Sequence, residues 1–432
     1  MDVITLILSL VIVAISAHIL FGGNYTNAPP CLKGWIPWFG AAFEFGKSPL
    51  TFISQARDKR LTFVTLHEDF HTFFMSKDVD FEQAVQEPVH NTASISKESF
   101  YKFHPACNTL IKGRLTPGNV AQLTDHLCEE FNDHLETLGD QGSGGLNELV
   151  RAVMYPAVMS NLLGKCNSPG SPFTMEQFKE KFAIYDEGFE YGSQLPDMFL
   201  REWASSKRWL LSLLGNMVVK AENDETSSET GNRTLLQHLV TLITDKFLPN
   251  YGLLMLWASL ANAIPITFWA VAFILSNPTV YQTAMEQINA AFKEQDTRKT
   301  RVTAEELQQM PYVKWCILEA IRLRAPGAIT RRVVRPLRIQ NYIIPPGDLL
   351  MERWEKANLV KNVFLEGFVA FGGGRNQCPG RWYAIMELHM FVALILFKYD
   401  FTFMDPLPKP SNLHLVGTQQ PETPCTVQYR HR

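Results

Sequence analysis

The sequence has few cysteines, little net charge and no internal repeat, and the first two of these features exclude classes of protein. The seven cysteines are odd in number and widely spread, and no Cys-x-x-Cys pair occurs, which argues against a disulfide scaffold and a zinc module. A net charge of −3 leaves no basic field, so we expect no nucleic-acid partner. The scattered cysteines place the body of the chain in a reducing compartment.

The chain is rich in apolar and aromatic side chains. Hydrophobic residues make up 46% of its 432 residues, and they include 29 Phe and 9 Trp. This composition supports an extensive core and excludes a disordered class. By length alone the chain could hold two or three domains, or one large domain.

Residues 3–21 form an uncharged, strongly apolar run, whose length suits a helix that spans a membrane. A cleaved signal peptide is the alternative, but its apolar core is usually shorter and follows basic residues, which are missing here. The Asn-Ala-Pro-Pro run at 27–30 predicts a stiff hinge. We therefore predict a membrane anchor over 1–22, a proline-rich hinge over 23–40 and a single domain over 41–432 on the cytoplasmic side.

A glycine-dense loop over 371–380, Phe-Gly-Gly-Gly-Arg-Asn-Gln-Cys-Pro-Gly, leads into a run long enough for a helix. Successive glycines allow positive φ angles and close approach of the backbone to a flat ligand. Pro379 suits the first helical position, which puts Cys378 at a helix N-terminus that favours a thiolate. A thiolate binds a soft or borderline metal, and haem iron is one candidate. A lone cysteine after glycines is more often a small buried apolar residue, so the loop alone leaves both interpretations open.

The stretch 253–275 carries no charged residue, and its length alone would predict a second membrane span. Its polar side chains and aromatic rings favour a central helix buried in protein. Pro265 lacks an N–H group and its ring presses against the carbonyl of Ala261, so we expect the helix to kink there. A kinked turn flanked by small residues makes a groove on the helix.

The glycine-rich loop matches the haem-binding motif of the cytochromes P450, which the chain resembles from about residue 29 to its end. The matching residues are Phe371, Gly372, Gly374, Cys378 and Gly380. The resemblance implies a mainly α fold with small β-sheets (α+β), in which 41–432 is one haem-thiolate monooxygenase domain. It also implies that these residues bind haem b, with Cys378 as the axial thiolate and metal ligand.

The haem propionates need cationic partners. The family usually has a basic residue two positions before the cysteine, but this chain has Asn376 there, so the resemblance leaves this role to the adjacent Arg375 or to a residue elsewhere. Arg331 or Arg332 stands where the family often contacts a propionate. Weaker candidates for the same role are His104 and Lys112.

The resemblance implies that the apolar helix at 253–275 is the long helix that, in this family, crosses the distal face of the haem, where dioxygen binds. Aligning Ala261 and Asn262 with the usual Ala-Gly leaves Ile264 and Pro265 in place of the family's acid and threonine, which deliver protons. This departure is shared by a subgroup that contains the sterol 7α-hydroxylases and prostacyclin synthase. The resemblance therefore implies Ala261, Asn262 and Pro265 as catalytic candidates, with ordered water held by Asn262 or by the Ala261 carbonyl.

A second family motif, Glu-x-x-Arg, occurs at Glu319 and Arg322. Such an i, i+3 pair is usually a solvated ion pair, and we interpret the same pattern at 148–151 as a chance match. The resemblance implies that Glu319, Arg322 and Arg353 form a buried structural cluster held by charge-assisted hydrogen bonds.

The resemblance implies a monooxygenase that takes electrons from NADPH through NADPH–cytochrome P450 reductase. It narrows the substrate to a sterol and the expected reaction to 7α-hydroxylation of an oxysterol such as 24-hydroxycholesterol, in cholesterol and bile acid metabolism. The expected location is the endoplasmic reticulum membrane, with a single span and a cytoplasmic catalytic domain.

Besides a transport or channel role for the apolar stretches, which is least favoured because only the first is a clean span, two alternatives stay open. One is a haem isomerase of the prostacyclin-synthase kind, which needs no reductase. The other is an inactive shortened form without haem, because the chain looks short against the family after Arg60 and after Met351. Both missing pieces would belong to one small β-sheet.

Overall fold

A computed structural model describes most of the chain from residue 62 onward. The described residues are 62–64, 67–165, 173–223, 233–293, 295–298, 300–325, 329–344, 349–352, 370–411 and 417–432. The predicted anchor, the predicted hinge and Arg353 lie outside them, so what we predicted there stays a prediction. The chain divides into two compact units: unit 1 is Met1–Ala84 with Ala328–Glu355, and unit 2 is Val85–Gly327 with Lys356–Arg432.

The described residues are mainly helical. In chain order the helices are α1 (His67–Met75), α2 (Phe81–Ala93), α3 (Lys97–Arg114), α4 (Pro117–Glu136), α5 (Leu146–Leu162), α6 (Met175–Glu187), α7 (Phe189–Gly192), α8 (Arg201–Asn223), α9 (Leu235–Leu242), α10 (Leu248–Leu260), α11 (Ala263–Ser276), α12 (Pro278–Ala291), α13 (Ala304–Gln308), α14 (Pro311–Arg324) and α15 (Arg381–Lys398).

The strands are short. They are β1 (Thr62–Val64), β2 (Val79–Asp80), β3 (Gln141–Gly145), β4 (Ile329–Val333), β5 (Leu337–Ile339), β6 (Tyr342–Ile344), β7 (Leu349–Glu352), β8 (Tyr399–Phe403) and β9 (Thr426–His431). They form three small sheets with the strand orders β1-β7-β4-β2, β3-β9-β8 and β5-β6. Many helices with small sheets confirm the predicted α+β class.

Unit 2 is built around α15. Every residue from 385 to 398 is buried, because the run is apolar on all sides and such a helix must be enclosed by others. It packs against α4, α11 and α14, and the rings of Phe391 and Phe131 meet edge to face at 5.4 Å. Since α15 begins directly after the glycine-rich loop, this packing fixes the position of Cys378.

The apolar stretch forms two helices, α10 and α11, separated by Ala261 and Asn262. The Ala261 N–H donates to the Trp257 carbonyl at 2.9 Å, and the Ile266 N–H donates to the Asn262 carbonyl at 3.3 Å. Pro265 has no N–H to offer the Ala261 carbonyl, which explains the interruption and confirms the predicted kink.

The stretch Leu248–Ser276, taken as a whole, is long and apolar enough to cross a membrane. However, 72% of the window that meets this criterion is buried inside the protein. Within unit 2, α11 packs against α5, α14 and α15. These contacts favour the interpretation as a central core helix.

The first sheet lies in unit 1. The β-branched and aromatic residues of 61–65 predict a strand, and β1 confirms it over Thr62–Val64. Thr62 pairs with Leu350 and Val64 with Glu352 in a parallel β1–β7 ladder, and β7 pairs antiparallel with β4. The two places where the chain looks shortened, after Arg60 and after Met351, therefore adjoin neighbouring strands of one sheet, as expected.

The Pro-Pro-Gly turn at 345–347, between apolar runs, predicts a hairpin, and the structure describes a hairpin just before it. Strands β5 and β6 pair with Ile339 opposite Tyr342, so the two-residue turn is Gln340-Asn341. Gln340 takes a φ of +51°, the left-handed conformation that such tight turns require. Residues 345–348 lie outside the described part of the chain.

The Gly and Ser content of 139–145 predicts a loop, and this prediction is wrong, because Gln141–Gly145 forms β3. This strand pairs along its whole length with β9, which pairs in turn with β8. These glycines allow β3 to lie close to β9, since a Cβ at Gly142 would clash with the Tyr429 hydroxyl. The partner strand comes from the far end of the chain, so no local pattern announces the pairing.

Candidate active site

The cysteine loop of unit 2 is closed at its neck by one backbone hydrogen bond. The N–H of Cys378 donates to the carbonyl of Phe371 at 2.8 Å, and a short 3-10 turn over Gly374–Asn376 lies between them. Gly372 and Gly374 have φ angles of +68° and +64°, which L side chains avoid. The positive φ angles expected of the glycines are present, and they allow the narrow loop that ends at Cys378.

Helix α15 begins at Arg381, two residues later than we predicted. The carbonyl of Gly380 accepts from the N–H of Ala384 at 2.9 Å, so Gly380 is the N-cap and Pro379 precedes the helix. Pro379 instead belongs to a turn before the helix. After this turn, the N–H groups of Gly380 and Arg381 act on the Cys378 sulfur and lower the pKa of its thiol.

The thiol form of Cys378 is favoured in the protein by itself. Burial raises the pKa of Cys378, and this outweighs the lowering by the two amides and by the charges of Arg381 and Lys112. The predicted preference for a thiolate is therefore wrong for the chain alone, because removing a charge from water costs more than these groups offset. A coordinated metal reverses the balance, since it deprotonates its thiol ligand outright.

Lys112, in the last turn of α3, reaches the cysteine loop. Its Nζ donates to the backbone carbonyl of Arg375, and burial together with the nearby Arg381 and Arg375 lowers the pKa of Lys112. The Arg375 side chain is exposed, and Arg381 donates to the Cys378 carbonyl at 3.0 Å. Three cations therefore lie on or beside this loop, which is the chemistry that binds carboxylates.

The residues of this loop fit an iron porphyrin. The ring supplies four nitrogen ligands, so the protein needs to add an axial atom, and Cys378 offers a sulfur with two amide donors behind it. In the described ranges, no three His, Cys, Asp or Glu side chains could hold a metal by themselves. Hydrogen bonds to a ligating sulfur are a means by which proteins tune haem iron. Cys378, Lys112 and Arg375 are the residues that would hold this group.

The break between α10 and α11 brings the three predicted catalytic residues together. Ala261 and Pro265 are buried, whereas Asn262 is exposed. Asn262 Oδ1 accepts a hydrogen bond of 3.2 Å from the hydroxyl of Thr418, a residue only 3% exposed. A Cβ at Gly417 would lie 2.6 Å from the same oxygen, so glycine is what lets this C-terminal segment approach so closely.

A buried carboxyl holds α10 one turn before the break. Asp186 of α6 accepts from the Trp257 indole N–H at 3.0 Å and from the Gln420 amide at 3.2 Å. In α11, the Trp269 indole N–H donates to the Gln419 carbonyl at 2.8 Å. Three consecutive residues of the C-terminal segment, Thr418, Gln419 and Gln420, therefore contact α10, α11 or the turn between them, directly or through Asp186. Sequence reasoning missed them, because their partners lie more than a hundred positions away.

Glu319 and Arg322 of α14 form the predicted ion pair. The guanidinium donates through Nε at 2.7 Å and through Nη2 at 2.5 Å, which lowers the pKa of Glu319 and raises that of Arg322. The side chains are 43% and 33% exposed, so water screens the pair and it contributes about 1 kcal/mol at most. Their closure with Arg353 into a buried cluster stays a prediction.

Arg331 and Arg332 lie on β4 in unit 1, where the alternation of a strand puts them on opposite faces. Arg331 is 3% exposed, and its guanidinium lies 4.9 Å from the ring centre of Phe81 and 5.3 Å from that of Phe73. Arg332 is exposed. Aromatic faces stabilise a desolvated guanidinium, and the role of either arginine toward a propionate stays a prediction.

The sequence model of the cytochrome P450 family matches residues 29–351 and 350–427. The chain belongs to the cytochrome P450 family. Membership implies a haem iron held by a cysteine thiolate, which agrees with the donor set of the Cys378 loop.

Relatives of known activity match this P450 along its whole length. It is 42% identical over 469 aligned residues to 24-hydroxycholesterol 7-alpha-hydroxylase of Homo sapiens, with both chains fully covered. It is 43% identical to the Mus musculus protein of the same name, covering 94% of this chain and 93% of the relative. Prostacyclin synthase of Rattus norvegicus is 25% identical, covering 94% of each chain.

Two findings bear on the places where this P450 looked short. The alignment with the human relative spans 469 positions and the chain has 432 residues, so at least 37 positions have no residue here. The family model matches in two parts that meet at residues 350–351, inside β7. This is the junction that looked short in the sequence.

Proposed function

We propose that this P450 is a monooxygenase that hydroxylates an oxysterol at the 7α position, with 24-hydroxycholesterol as its substrate. The observation that carries the proposal is the whole-length identity of 42% and 43% with two 24-hydroxycholesterol 7-alpha-hydroxylases. The isomerase alternative is less well supported, because the identity with prostacyclin synthase is only 25%. The proposed role belongs to cholesterol and bile acid metabolism.

The proposal includes a redox partner and a membrane. Electrons come from NADPH through NADPH–cytochrome P450 reductase, which docks on the cysteine side of the haem near Arg375 and Arg381. Residues 1–22 anchor the enzyme in the endoplasmic reticulum membrane, and the catalytic domain faces the cytoplasm. The uncharged run at 3–21 supports the anchor.

In the proposed mechanism, Cys378 would hold the haem iron through its sulfur, and the N–H groups of Gly380 and Arg381 would stabilise the negative charge on that sulfur. Lys112 and Arg375 neutralise a propionate at the cysteine loop. When bound, the haem would activate dioxygen, of which one atom enters a C–H bond of the sterol and the other leaves as water with two protons and the two electrons from NADPH.

Proton delivery requires a substitute for the acid and threonine that this chain lacks. We assign it to the hydroxyl of Thr418, which donates to Asn262 Oδ1, and to ordered water held by the Asn262 amide and the Ala261 carbonyl. Pro265 leaves that carbonyl without a helical N–H partner. The hydroxyl thus comes from the C-terminal segment instead of from the helix itself.

The axial ligand is tested by the absorption spectrum of the reduced, carbon monoxide-bound protein. We expect the red-shifted Soret band of thiolate-ligated haem in the full chain and in Cys316→Ser, a control for removing a partly exposed cysteine of α14. In Cys378→Ser the band should disappear. A wild-type protein without this band would overturn the haem-thiolate proposal.

The reaction is tested by turnover of 24-hydroxycholesterol with reductase and NADPH. We expect a 7α-hydroxylated product that depends on both. Product from a prostaglandin endoperoxide without NADPH, together with no sterol turnover, would support the isomerase instead.

The proton route is tested by coupling, the amount of product formed per NADPH oxidised. We expect Asn262→Ala and Thr418→Val to lower coupling about tenfold while NADPH is still oxidised, because proton transfer by a positioned group contributes of the order of 10²-fold or more. Ser259→Ala is the control, since its hydroxyl is already bonded to the Leu256 carbonyl at 2.9 Å. Unchanged coupling in both variants would exclude this route.

A further inference from the structure

Unit 2 contains a cavity that is separate from the cysteine loop. Its volume is about 750 Å³. It lies among the C-terminal end of α3, the first half of α4, the C-terminal end of α5 and the N-terminal end of α9. No residue of the 371–380 loop or of the α10–α11 break lines it.

The lining of this cavity is strongly basic. Arg114, Lys165 and Arg233 contribute positive charges and His126 and His238 contribute imidazoles, and none of the described residues that line it is Asp or Glu. The whole chain has a net charge of −3, so this concentration of cations departs from the average surface. Lys165 has a carboxylate partner in Glu130 at 3.3 Å, which lies behind the wall.

The cations act together on one point of the wall. His238 is 7% exposed, and its pKa is lowered by burial and by the charges of Arg114 and Arg233. Two guanidinium groups from different parts of the chain therefore impose a positive potential on the same buried imidazole. Both guanidinium charges would attract an anion bound in the cavity.

Two helices begin at the cavity and two end there. Leu235 is the first residue of α9 and Asn119 the third of α4, and both line the cavity. Because α3 and α5 end at the same cavity, their negative dipole ends offset the two positive ones, and the positive potential comes from the cationic side chains.

The wall is held in place by hydrogen bonds from behind. Asn161 accepts from the Tyr383 hydroxyl at 2.8 Å and bonds His126 Nδ1 at 3.0 Å. The Ser160 hydroxyl donates to Glu130 at 2.8 Å. Tyr383 and Asn161 are buried, so this side of the cavity is pre-organised and loses little conformational entropy on binding.

We propose that this cavity binds a phosphate-bearing small molecule, with Arg114 and Arg233 as its principal ligands. Guanidinium groups bind phosphate through two parallel N–H donors, and such charge-assisted bonds are about twice as strong as neutral ones. The volume has room for a diphosphate or a phospholipid headgroup. The same chemistry recognises either source.

The test is isothermal titration of the full chain, purified in a non-ionic detergent, with inorganic pyrophosphate and with dihexanoylphosphatidic acid. We expect saturable 1:1 binding of at least one probe. Arg114→Gln/Arg233→Gln should weaken it at least about tenfold, as should Gln122→Glu, which adds a negative charge at an exposed wall position. The matched control, Arg201→Gln/Arg208→Gln, removes two exposed charges of α8 outside the cavity.

The binding results show whether the phosphate belongs to a soluble molecule or to a lipid headgroup, and they support or overturn the proposal. Binding of pyrophosphate alone identifies a soluble phosphate ligand, and binding of the lipid alone identifies a headgroup; either supports the site if the cavity variants weaken it and the control does not. No binding of either probe, or an equal loss in the α8 control, overturns the proposal. An unfolding transition measured without ligand shows whether each variant is folded. If the double arginine variant is not folded, Gln122→Glu alone provides the test.

Discussion

Asp186 is a carboxyl enclosed by protein, with two neutral hydrogen-bond donors. It is 6% exposed, and burial raises its pKa to about 7, although Arg151 and the hydrogen bonds from Trp257 and Gln420 act in the opposite direction and Glu187 adds to the rise. An unfolded chain would release this proton near the ordinary Asp pKa of about 4. At pH values between the pKa of the unfolded chain and that of the folded chain, Asp186 therefore keeps a proton in the folded chain that it has lost in the unfolded chain.

This difference predicts a pH dependence of stability. Because the folded state binds the Asp186 proton more tightly, its contribution is fully present below about pH 4 and is lost as the pH rises toward 7. The loss amounts to about 4 kcal/mol at most. We expect Asp186→Asn to remove this part of the slope in urea unfolding measured at pH 5 and pH 8.

Glu176→Gln in the same helix is the matched control, since Glu176 is exposed and is not among the charges that shift the pKa of Asp186. It should leave the slope as it is in the wild type. An unchanged slope in Asp186→Asn would mean that Asp186 is ionised in the folded protein throughout this range.

At the scale of elements, the turn from α6 through α7 into α8 is built around Trp203. Its indole N–H donates to the Tyr185 carbonyl at 2.8 Å, its ring stacks on Tyr185 at 5.5 Å, and Lys207 lies 4.7 Å from it. A Cβ at Gly192 would lie 2.1 Å from this ring. The ring is fixed on several sides, so it cannot move aside.

We therefore expect Gly192→Ala to destabilise the protein by about 1–3 kcal/mol, because overpacking forces a shift of the backbone. Gly215→Ala in the interior of α8 is the control, since a Cβ there meets nothing within 4 Å. It should stabilise the helix by roughly 0.5–1 kcal/mol. Urea unfolding midpoints measure both, and equal midpoints for the two variants would contradict this account.

At the scale of the whole molecule, the two places where the chain looks shortened lie in one unit, whereas the cysteine loop and the α10–α11 break lie in the other. The first is unit 1, with the β1 and β7 junctions, and the second is unit 2. The chain also lacks at least 37 positions of the 469 aligned with its human relative. For this reason, haem content in the carbon monoxide spectrum decides between an active enzyme and the shortened form without haem.

Local patterns predicted the features that depend on neighbouring residues. The kink at Ala261 follows from the missing N–H of Pro265, and the Glu319–Arg322 pair from an i, i+3 spacing. The positive φ angles of the cysteine loop follow from its glycines. The start of α15 was misplaced by two residues, because the turn at Pro379 depends on how the loop closes on Phe371.

The sequence by itself determined the fold class, the family and the cysteine loop, because periodicity, composition and a spaced motif are properties of contiguous residues. Only the tertiary structure decided which residues meet across the chain. It brought Thr418 to Asn262, Gln420 to Asp186 and the arginines 114 and 233 to one cavity. It also decided that burial, more than the helix N-terminus, governs the Cys378 thiol, since desolvation depends on every residue packed around a group.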